Sequence, residues 1–167
     1  MIQMSVQTLV VTNAPNPSIL VLCPTEDFEK HRDCRIVPIW LGVVEASQLG
    51  MSLENAHFAR PMTHDLMMNA LTSLDATILR VEIVAQKEQT FYAHLILHQG
   101  DRIIELDARP SDAISLAVRQ GAPIFMDEDV LQKTSFPFLF HSDKDDQEEI
   151  KEFHSFVKNL HPDDFLE

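Results

Sequence analysis

The chain has little of what several common classes of site require. Its 167 residues include four glycines and two cysteines. So few glycines argue against a glycine-rich phosphate loop, and the sequence has no P-loop, dinucleotide-binding or HExxH zinc motif. Cys23 and Cys34 form neither a zinc pattern nor a disulfide framework, so we expect a protein of the reducing cytoplasm.

Positive charge is scarce as well. Thirteen lysines and arginines oppose 26 aspartates and glutamates, which gives a net charge of −13. Residues 127–167 alone hold twelve acidic and four basic side chains. Nucleic-acid-binding proteins usually show a basic stripe, and none is visible here, so a polyanion would have to be held by a local cluster. The candidates for that cluster are Arg60, Arg102, Arg109 and Arg119.

Long apolar runs are also missing. No stretch approaches the roughly 20 apolar residues that span a bilayer, and the N-terminus lacks a basic region followed by an apolar one. We therefore expect neither a membrane segment nor a secretory leader. The composition, 45% hydrophobic and 23% charged, suits a single globular domain with a substantial core.

Hydrophobic periodicity predicts an α+β fold, in which helices pack on an antiparallel or mixed sheet. Strands are predicted at residues 3–12, 18–23, 35–41, 77–86, 90–98, 102–108 and 122–126, from period-two alternation in the strands between 77 and 108 and from short apolar segments elsewhere. Patterns of period 3.6 predict helices at residues 43–56, 63–75, 111–121, 127–131 and 145–160. The charged segment 24–34 is predicted to be a loop, and Pro38 predicts an edge strand or a bulge.

We expect residues 1–140 to form one compact domain. Residues 141–167 are predicted to form an acidic amphipathic helix and tail that packs on the domain or at an interface. The apolar cluster at residues 136–140 and the apolar stripe of this last helix exceed what one small domain readily buries, which favours a homo-oligomer.

The three strands between residues 77 and 108 are predicted to form an antiparallel meander packed under the helices at 63–75 and 111–121. One face of its first strand is predicted to carry Leu79, Val81, Ile83 and Ala85. Cross-strand pairing is expected to place His94 opposite Glu105 or Asp107.

The junction between the strand at 102–108 and the helix after it gives the strongest local signal. It places Asp107, Arg109, Ser111 and Asp112 within six positions. Ser111 is predicted to be the N-cap, with Asp112 in the first turn of the helix. If Arg109 is buried it needs a carboxylate partner, and Asp112 or Asp65 is expected to supply it.

A second junction, at residues 60–68, has a similar composition. Arg60 and a proline precede Thr63, the predicted N-cap, and His64 and Asp65 follow in the first turn. The two junctions therefore supply two polar helix N-termini that are able to face one cleft. Beside Asp65, His64 could serve as a general base or a metal ligand. The alternative is that His64 and Asp65 are only a surface pair in the first turn.

Carboxylates at these junctions are candidate metal ligands. Asp107 and Asp112 could share a divalent cation, Mg²⁺ or Mn²⁺, with Glu45 or Asp65. The alternative for Asp112 is helix capping, and the alternative for Asp107 is pairing with an arginine.

Several sequence motifs occur in a fixed order along the chain. They are Val37-Pro-Ile-Trp-Leu-Gly42 with Glu45-Ala46, Arg60-Pro61 with Thr63-His-Asp-Leu66, Phe91-Tyr-Ala93, Asp107-Ala-Arg-Pro-Ser-Asp-Ala-Ile-Ser-Leu-Ala117, and Pro123-Ile-Phe125. Their order and spacing resemble the bifunctional nuclease family, the bacterial and plant DNase–RNase domain. The likeness covers about residues 5–133, and the C-terminal Glu152-Phe153…Phe156…Pro162-Asp-Asp-Phe165 is similar to the tail of bacterial members.

The resemblance implies a compact α+β domain, a homo-oligomer and nuclease activity on DNA and RNA. Metal-assisted phosphodiester hydrolysis is the mechanism that fits such an activity. The candidate catalytic residues are then His64, Asp65, Asp107, Arg109 and Asp112. Arg60, Arg109 and Ser111 are the candidates for phosphate binding, and Asp107, Asp112 and Glu45 are the candidates for holding Mg²⁺ or Mn²⁺.

Two other functions remain open at this point. One is a non-catalytic binding or regulatory module in which Asp107, Arg109 and Asp112 form a buried network that orders the junction. The other is an enzyme that acts on a small phosphorylated or acidic ligand held at the two helix N-termini. A shared open cleft favours catalysis, whereas a dry and fully paired network favours a structural role.

Overall fold

The computed structural model describes residues 1–12, 16–29, 34–138 and 146–164, and within these ranges it shows eight strands and six helices. The strands are β1 Ile2–Val10, β2 Ser18–Pro24, β3 Cys34–Leu41, β4 Ala76–Lys87, β5 Thr90–Gln99, β6 Arg102–Ala108, β7 Ile124–Met126 and β8 Phe136–Phe138. The helices are α1 Thr25–Glu29, α2 Val43–Leu53, α3 Thr63–Ser73, α4 Pro110–Gln120, α5 Glu128–Thr134 and α6 Asp146–Asn159, followed by a 3₁₀ turn at Pro162–Asp164. None of the helices in the described ranges is both long enough and apolar enough to cross a membrane.

All eight strands belong to one mixed sheet, in the order β6-β5-β4-β7-β1-β2-β3-β8. Neighbouring strands are antiparallel except β4 and β7, which run parallel. The predicted α+β class and the predicted meander β4–β5–β6 are therefore confirmed. β8 pairs with β3 only at residues 34–36, so β3 is an edge strand at Pro38, as its proline predicts.

The main core lies between one face of the sheet and helices α2, α3, α4 and α5. Leu71 of α3 and Ile114 of α4 pack against Val81 and Ile83 of the meander in this cluster. Alternate residues of β5 point into it, as the period-two pattern predicts; they are Phe91, Ala93, Leu95 and Leu97. The predicted packing of the meander under α3 and α4 is thus confirmed.

A second core lies on the other face of the sheet, under α6. Phe153, Val157 and Leu160 pack there against β1, β2 and β3, and Phe153 meets the ring of Phe138 edge-on at 4.8 Å. Cys23 and Cys34 are buried in this cluster as free thiols. The apolar stripe of the last helix is therefore covered within the chain.

Some local features differ from the sequence expectations. The segment predicted as a loop at 24–34 begins with the short helix α1, and residues 30–33 lie outside the described residues. In β4, bulges follow Ile78 and Ile83. Because a bulge shifts the alternation by one residue, Ile78 is buried instead of Leu79, and Ala85 is only half-buried. The predicted face was wrong at those two positions.

The helix caps also differ. Met62 is the N-cap of α3 and Arg109 is the N-cap of α4, so the predicted caps Thr63 and Ser111 were wrong. At α3 the carboxylate of Asp65 accepts a hydrogen bond from the Met62 N–H at 3.0 Å and takes over the capping role. At α4 a proline occupies the first helical position, where its missing N–H has no cost. Of the predicted apolar cluster at 136–140, residues 139 and 140 lie outside the described residues.

Candidate functional site

Arg109 joins side chains from three helices at the start of α4. Its Nη1 donates to Glu45 Oε1 at 2.8 Å and its Nε donates to Asp112 Oδ2 at 2.7 Å. The other oxygen of Asp112 lies 3.2 Å from Nε2 of His64, within hydrogen-bond distance. These four residues, Glu45, Arg109, Asp112 and His64, form what we call the Arg109 network. The predicted pairing of Arg109 with Asp112 is confirmed.

The charges of the Arg109 network stabilise one another. The pKa of Glu45 is lowered, first by a hydrogen bond from its own backbone N–H and then by Arg109. Burial acts to raise the pKa of Asp112, but Arg109 and His64 together lower it below its usual value. The two carboxylates raise the pKa of Arg109, Asp112 having the larger effect. Both carboxylates are therefore ionised at neutral pH, and the guanidinium stays charged.

Gly42 leaves the space that the Glu45 side chain needs. It is the N-cap of α2, and Glu45 stands in the first turn of that helix. A Cβ atom at position 42 would lie only 2.5 Å from Glu45 Oε2, closer than atoms of this kind approach. A side chain at position 42 would therefore require the end of the flexible Glu45 side chain to shift from its present place.

An open cleft of about 430 Å³ runs past this network. Its walls come from the end of β3, the start of α2, the turn between β4 and β5, and the start of α4. The residues that line it include Gly42, Glu45, Arg109 and Ser111. The Arg109 side chain is 63% exposed. We call this the Arg109 cleft, and it is an open site rather than a dry, buried network.

His64 lies behind Asp112, away from the solvent. Its side chain is only 11% exposed, and its Nδ1 is buried without a hydrogen-bond partner among the described residues. His64 is not among the residues that line the Arg109 cleft. It therefore acts on the cleft through Asp112, whose carboxylate it orients.

Asp65 is engaged elsewhere. Its Oδ1 accepts a hydrogen bond from Nε of Arg119 at 2.8 Å, and its Oδ2 accepts the Met62 N–H. These contacts lower the pKa of Asp65, Arg119 first. The predicted alternative of an Asp65–Arg109 pair was therefore wrong, because the other end of α4 supplies the partner. Arg60 is exposed and forms no ion pair with any residue that the structure describes.

Asp107 stands on the other face of the sheet from Asp112. Its neighbours Ile104 and Ala108 pack into the core under the helices, so the alternation of β6 points Asp107 away from them. It lies opposite His94 in the register, while His94 Nδ1 lies 3.2 Å from Glu105 Oε1. Both predicted neighbours of His94 are confirmed.

The predicted metal ligands Asp107, Asp112 and Glu45 are not brought together. Among the described residues, no group of three or more His, Cys, Asp and Glu side chains is arranged to hold a metal ion. Asp112 and Glu45 do converge, but the guanidinium of Arg109 lies between them and supplies the positive charge. This set of residues does not fit a protein-held Mg²⁺ or Mn²⁺ in this arrangement.

Comparisons with known proteins match this part of the chain. The family model of the bifunctional nuclease domain matches residues 28–138. An uncharacterized protein of Mycobacterium tuberculosis is 36% identical over 136 residues, which cover 78% of this chain and 81% of that protein. Bifunctional nuclease 2 of rice is 30% identical over a region that covers 67% of this chain and 34% of the rice protein. Bifunctional nuclease 2 of Arabidopsis thaliana is 27% identical over a region that covers 53% of this chain and 28% of that protein. The matched region contains the whole Arg109 network, and the chain belongs to the bifunctional nuclease domain family.

Proposed function

We propose that this protein binds and hydrolyses phosphodiester bonds of DNA and RNA at the Arg109 cleft. The observation that carries the proposal is an exposed arginine at the edge of an open cleft, at the N-terminus of a helix and between two ionised carboxylates. Membership of the bifunctional nuclease domain family and the names of the plant relatives support it.

Binding would use the start of α4. A guanidinium donates two parallel hydrogen bonds to a phosphate, and the positive end of the α4 dipole favours an anion at the same place. Ser111, at the second position of α4, lines the cleft and adds a hydroxyl. The phosphate would replace Glu45 as the hydrogen-bond partner of Arg109 Nη1, while the hydrogen bond from Nε to Asp112 remains.

Hydrolysis needs a proton acceptor for the attacking water. Glu45, once displaced from Arg109, is an ionised carboxylate beside the bound phosphate. It accepts a proton from the attacking water as the new P–O bond forms, and it returns this proton to the leaving oxygen as the ester P–O bond breaks. Arg109 stabilises the negative charge that develops on the phosphate oxygens. His64 and Asp112 are positioning residues that fix Arg109. Catalytic roles for Asp65 and Asp107, and phosphate binding by Arg60, stay predictions.

A cleavage assay on short single-stranded DNA and RNA tests this function. We expect cleavage by the purified chain and a loss of about a hundredfold or more in Arg109→Ala. Arg35→Ala is the matched control, because Arg35 is also an exposed arginine paired with an aspartate, 3.1 Å from Asp27. Equal trace cleavage by the wild type and Arg109→Ala would identify a contaminant and end the proposal.

The predicted dependence on Mg²⁺ or Mn²⁺ is tested in the same assay. The steps above use side chains alone, because the described carboxylates do not form a metal site. We therefore run the assay with each cation and with a chelator. Loss of cleavage on chelation would show that a metal enters with the substrate or after rearrangement of Asp112 and Glu45.

A binding module without chemistry is the second candidate. It is favoured by one observation, that Nε and Nη1 of Arg109 already have carboxylate partners in the chain. The outcome that selects it is oligonucleotide binding that Arg109→Ala weakens, with no cleavage by any variant.

We also propose that the protein is a homo-oligomer that pairs through β6. β6 is the last strand at one edge of the sheet, and Ile103 on it is 60% exposed. An exposed edge strand with apolar side chains is a template for a second strand. Light scattering checks the mass, and a 19.0 kDa species across micromolar concentrations would rule the oligomer out.

The free thiols Cys23 and Cys34 support a cytoplasmic location.

A further inference from the structure

A second cleft, of about 440 Å³, lies at the other end of α2 and α4. It is formed by the end of α2, the connection to α3, the first half of α3 and the last turn of α4. We call it the Phe58 cleft, and its lining includes Asn55, His57, Phe58, Asn69 and Arg119. None of these residues takes part in the Arg109 network, and the proposed hydrolysis does not use them.

Phe58 gives the cleft an exposed aromatic ring. It stands on the non-helical connection between α2 and α3, and it is 49% exposed. Met51 and Met68 add apolar surface to the lining. A flat apolar ring that remains exposed beside methionine side chains provides a stacking surface for a planar ligand.

Arg119 gives the same cleft hydrogen-bond donors without a net charge. Its side chain is 11% exposed; its Nε donates to Asp65 Oδ1 at 2.8 Å and its Nη1 to the Ser115 carbonyl at 3.4 Å. Its Nη2 has no hydrogen-bond partner in the described part of the chain. Arg119 is mostly buried, so Asp65 is not easily displaced and keeps the guanidinium neutralised; the remaining donors therefore favour an uncharged acceptor over a phosphate.

Amide and imidazole groups complete the polar lining. The side chains of Asn55 and Asn69 are exposed, and an amide both donates and accepts. His57 Nδ1 lies 2.6 Å from the Asn55 carbonyl oxygen, which leaves Nε2 available. Aromatic stacking, a guanidinium donor and amides are the groups that recognise the edge and face of an unpaired base.

We propose that the Phe58 cleft binds a nucleobase, stacked on Phe58 and hydrogen-bonded at its edge by Arg119 and Asn69. The volume lies within the range of small-molecule sites and holds one base, not a stacked duplex. The base can belong to a free nucleoside or to an unpaired nucleotide of a single strand. The site is separate from the Arg109 cleft, so it does not depend on cleavage there.

The test is a titration of the isotope-labelled full chain with guanosine, adenosine, cytidine and uridine, followed by NMR. We expect at least one nucleoside to shift amide signals of residues 55–69 and of Arg119. Phe58→Ala should weaken that binding at least about fivefold, and Phe58→Tyr should keep it, because stacking needs a flat ring. Leu66→Ala is the matched control, since Leu66 is an exposed apolar residue of α3 that does not line the cleft.

Several results would overturn the proposal. They are signal changes confined to the Arg109 cleft, equal affinity in Phe58→Ala and wild type, binding of inorganic phosphate or ribose at residues 55–69, or no shift with any nucleoside. Two oligonucleotides identify the source of the base. If a single strand displaces the nucleoside and an abasic strand of equal length does not, the base comes from nucleic acid; if neither displaces it, the ligand is the free nucleoside.

Discussion

The two ends of α4 hold arginine–aspartate pairs of nearly equal length and very different exposure. Arg109 Nε lies 2.7 Å from Asp112 Oδ2, and Arg119 Nε lies 2.8 Å from Asp65 Oδ1. The Arg109 side chain is 63% exposed and that of Arg119 is 11% exposed. An exposed pair contributes little to stability and can exchange partners with a ligand, whereas a mostly buried pair cannot be broken cheaply. The first pair is therefore the one that a ligand can open, and the second fixes α3 on α4.

The largest effect on stability is expected at the buried end. Arg119→Ala leaves the Asp65 carboxylate, which is 31% exposed, with no guanidinium, and we expect it to lower the free energy of unfolding by about 1.5–3 kcal/mol, the loss typical of a hydrogen bond to a charged group. Arg109→Ala should cost about 1 kcal/mol or less, because Arg109 is exposed and not buried. Urea unfolding measures both. Equal losses in the two variants would contradict the contrast between the two ends.

Gly42→Ala is expected to have the next largest effect. The added methyl group would lie 2.5 Å from Glu45 Oε2, so the end of this flexible side chain must shift, and alanine is a poorer N-cap than glycine; we expect a cost of about 1 kcal/mol or less. Gly50→Ala in the same helix is the control. Its Cβ would lie 3.6 Å from Leu9 Cδ2, an ordinary contact, and alanine is the better helix former, so we expect a gain of about 0.5–1 kcal/mol. Thermal unfolding of both variants decides; a loss in Gly50→Ala as large as that in Gly42→Ala would refute the steric account.

Acid pH should weaken the buried pair. Arg119 and the Met62 N–H lower the pKa of Asp65 in the folded chain. A carboxyl whose pKa is lowered by folding stabilises the protein above its unfolded pKa, about 4, and this contribution is lost as pH falls through the folded pKa. The stability difference between wild type and Asp65→Asn should therefore shrink below about pH 4. In an Arg119→Ala background, Asp65→Asn should change the pH profile less, because only the Met62 N–H then lowers the pKa of Asp65 by hydrogen bonding; an undiminished change would assign the effect to another group.

The smallest expected effect concerns the exposed Arg109 pair at the start of α4 and its part in substrate binding. Glu45→Gln removes the charge that holds Nη1 of Arg109. We expect a single-stranded oligonucleotide to bind severalfold more tightly, by about 0.5–1 kcal/mol, while cleavage becomes slower because the proton acceptor is lost. Fluorescence anisotropy and single-turnover cleavage measure the two separately. Weaker binding in Glu45→Gln would mean that Glu45 contacts the substrate favourably.

The sequence predicted the features that depend on local patterns. The strands and helices follow their apolar periods, and the Arg109–Asp112 pair is only three residues apart, so both can be inferred without the fold. Glu45 and Arg109 meet only because α2 packs beside α4, and Asp65 meets Arg119 only because α3 crosses the same helix. Such pairings depend on tertiary packing, for which the sequence carries no direct signal.

The role of Gly42 was missed for a different reason. A glycine just before a helix with a glutamate in the first turn is an ordinary helix start, and its steric meaning appears only once the direction of the Glu45 side chain is known. The bulges of β4 were missed because no glycine or proline marks them. Asp107 was placed with Asp112 because they are close in sequence, although strand alternation turns its side chain to the other face.

The short strand β7 has a consequence for how the chain folds. The strands of β1–β3 and of β4–β6 pair with neighbours in sequence, so each group can form from local contacts. The three residues of β7 alone join the two groups, pairing with β4 on one side and β1 on the other. They must close long loops to reach both neighbours, so we expect β7 to dock last in folding. The sheet should also open first at β7, between β4 and β1. Faster hydrogen exchange of the Phe125 and Met126 amides than of the β5 amides would report that opening.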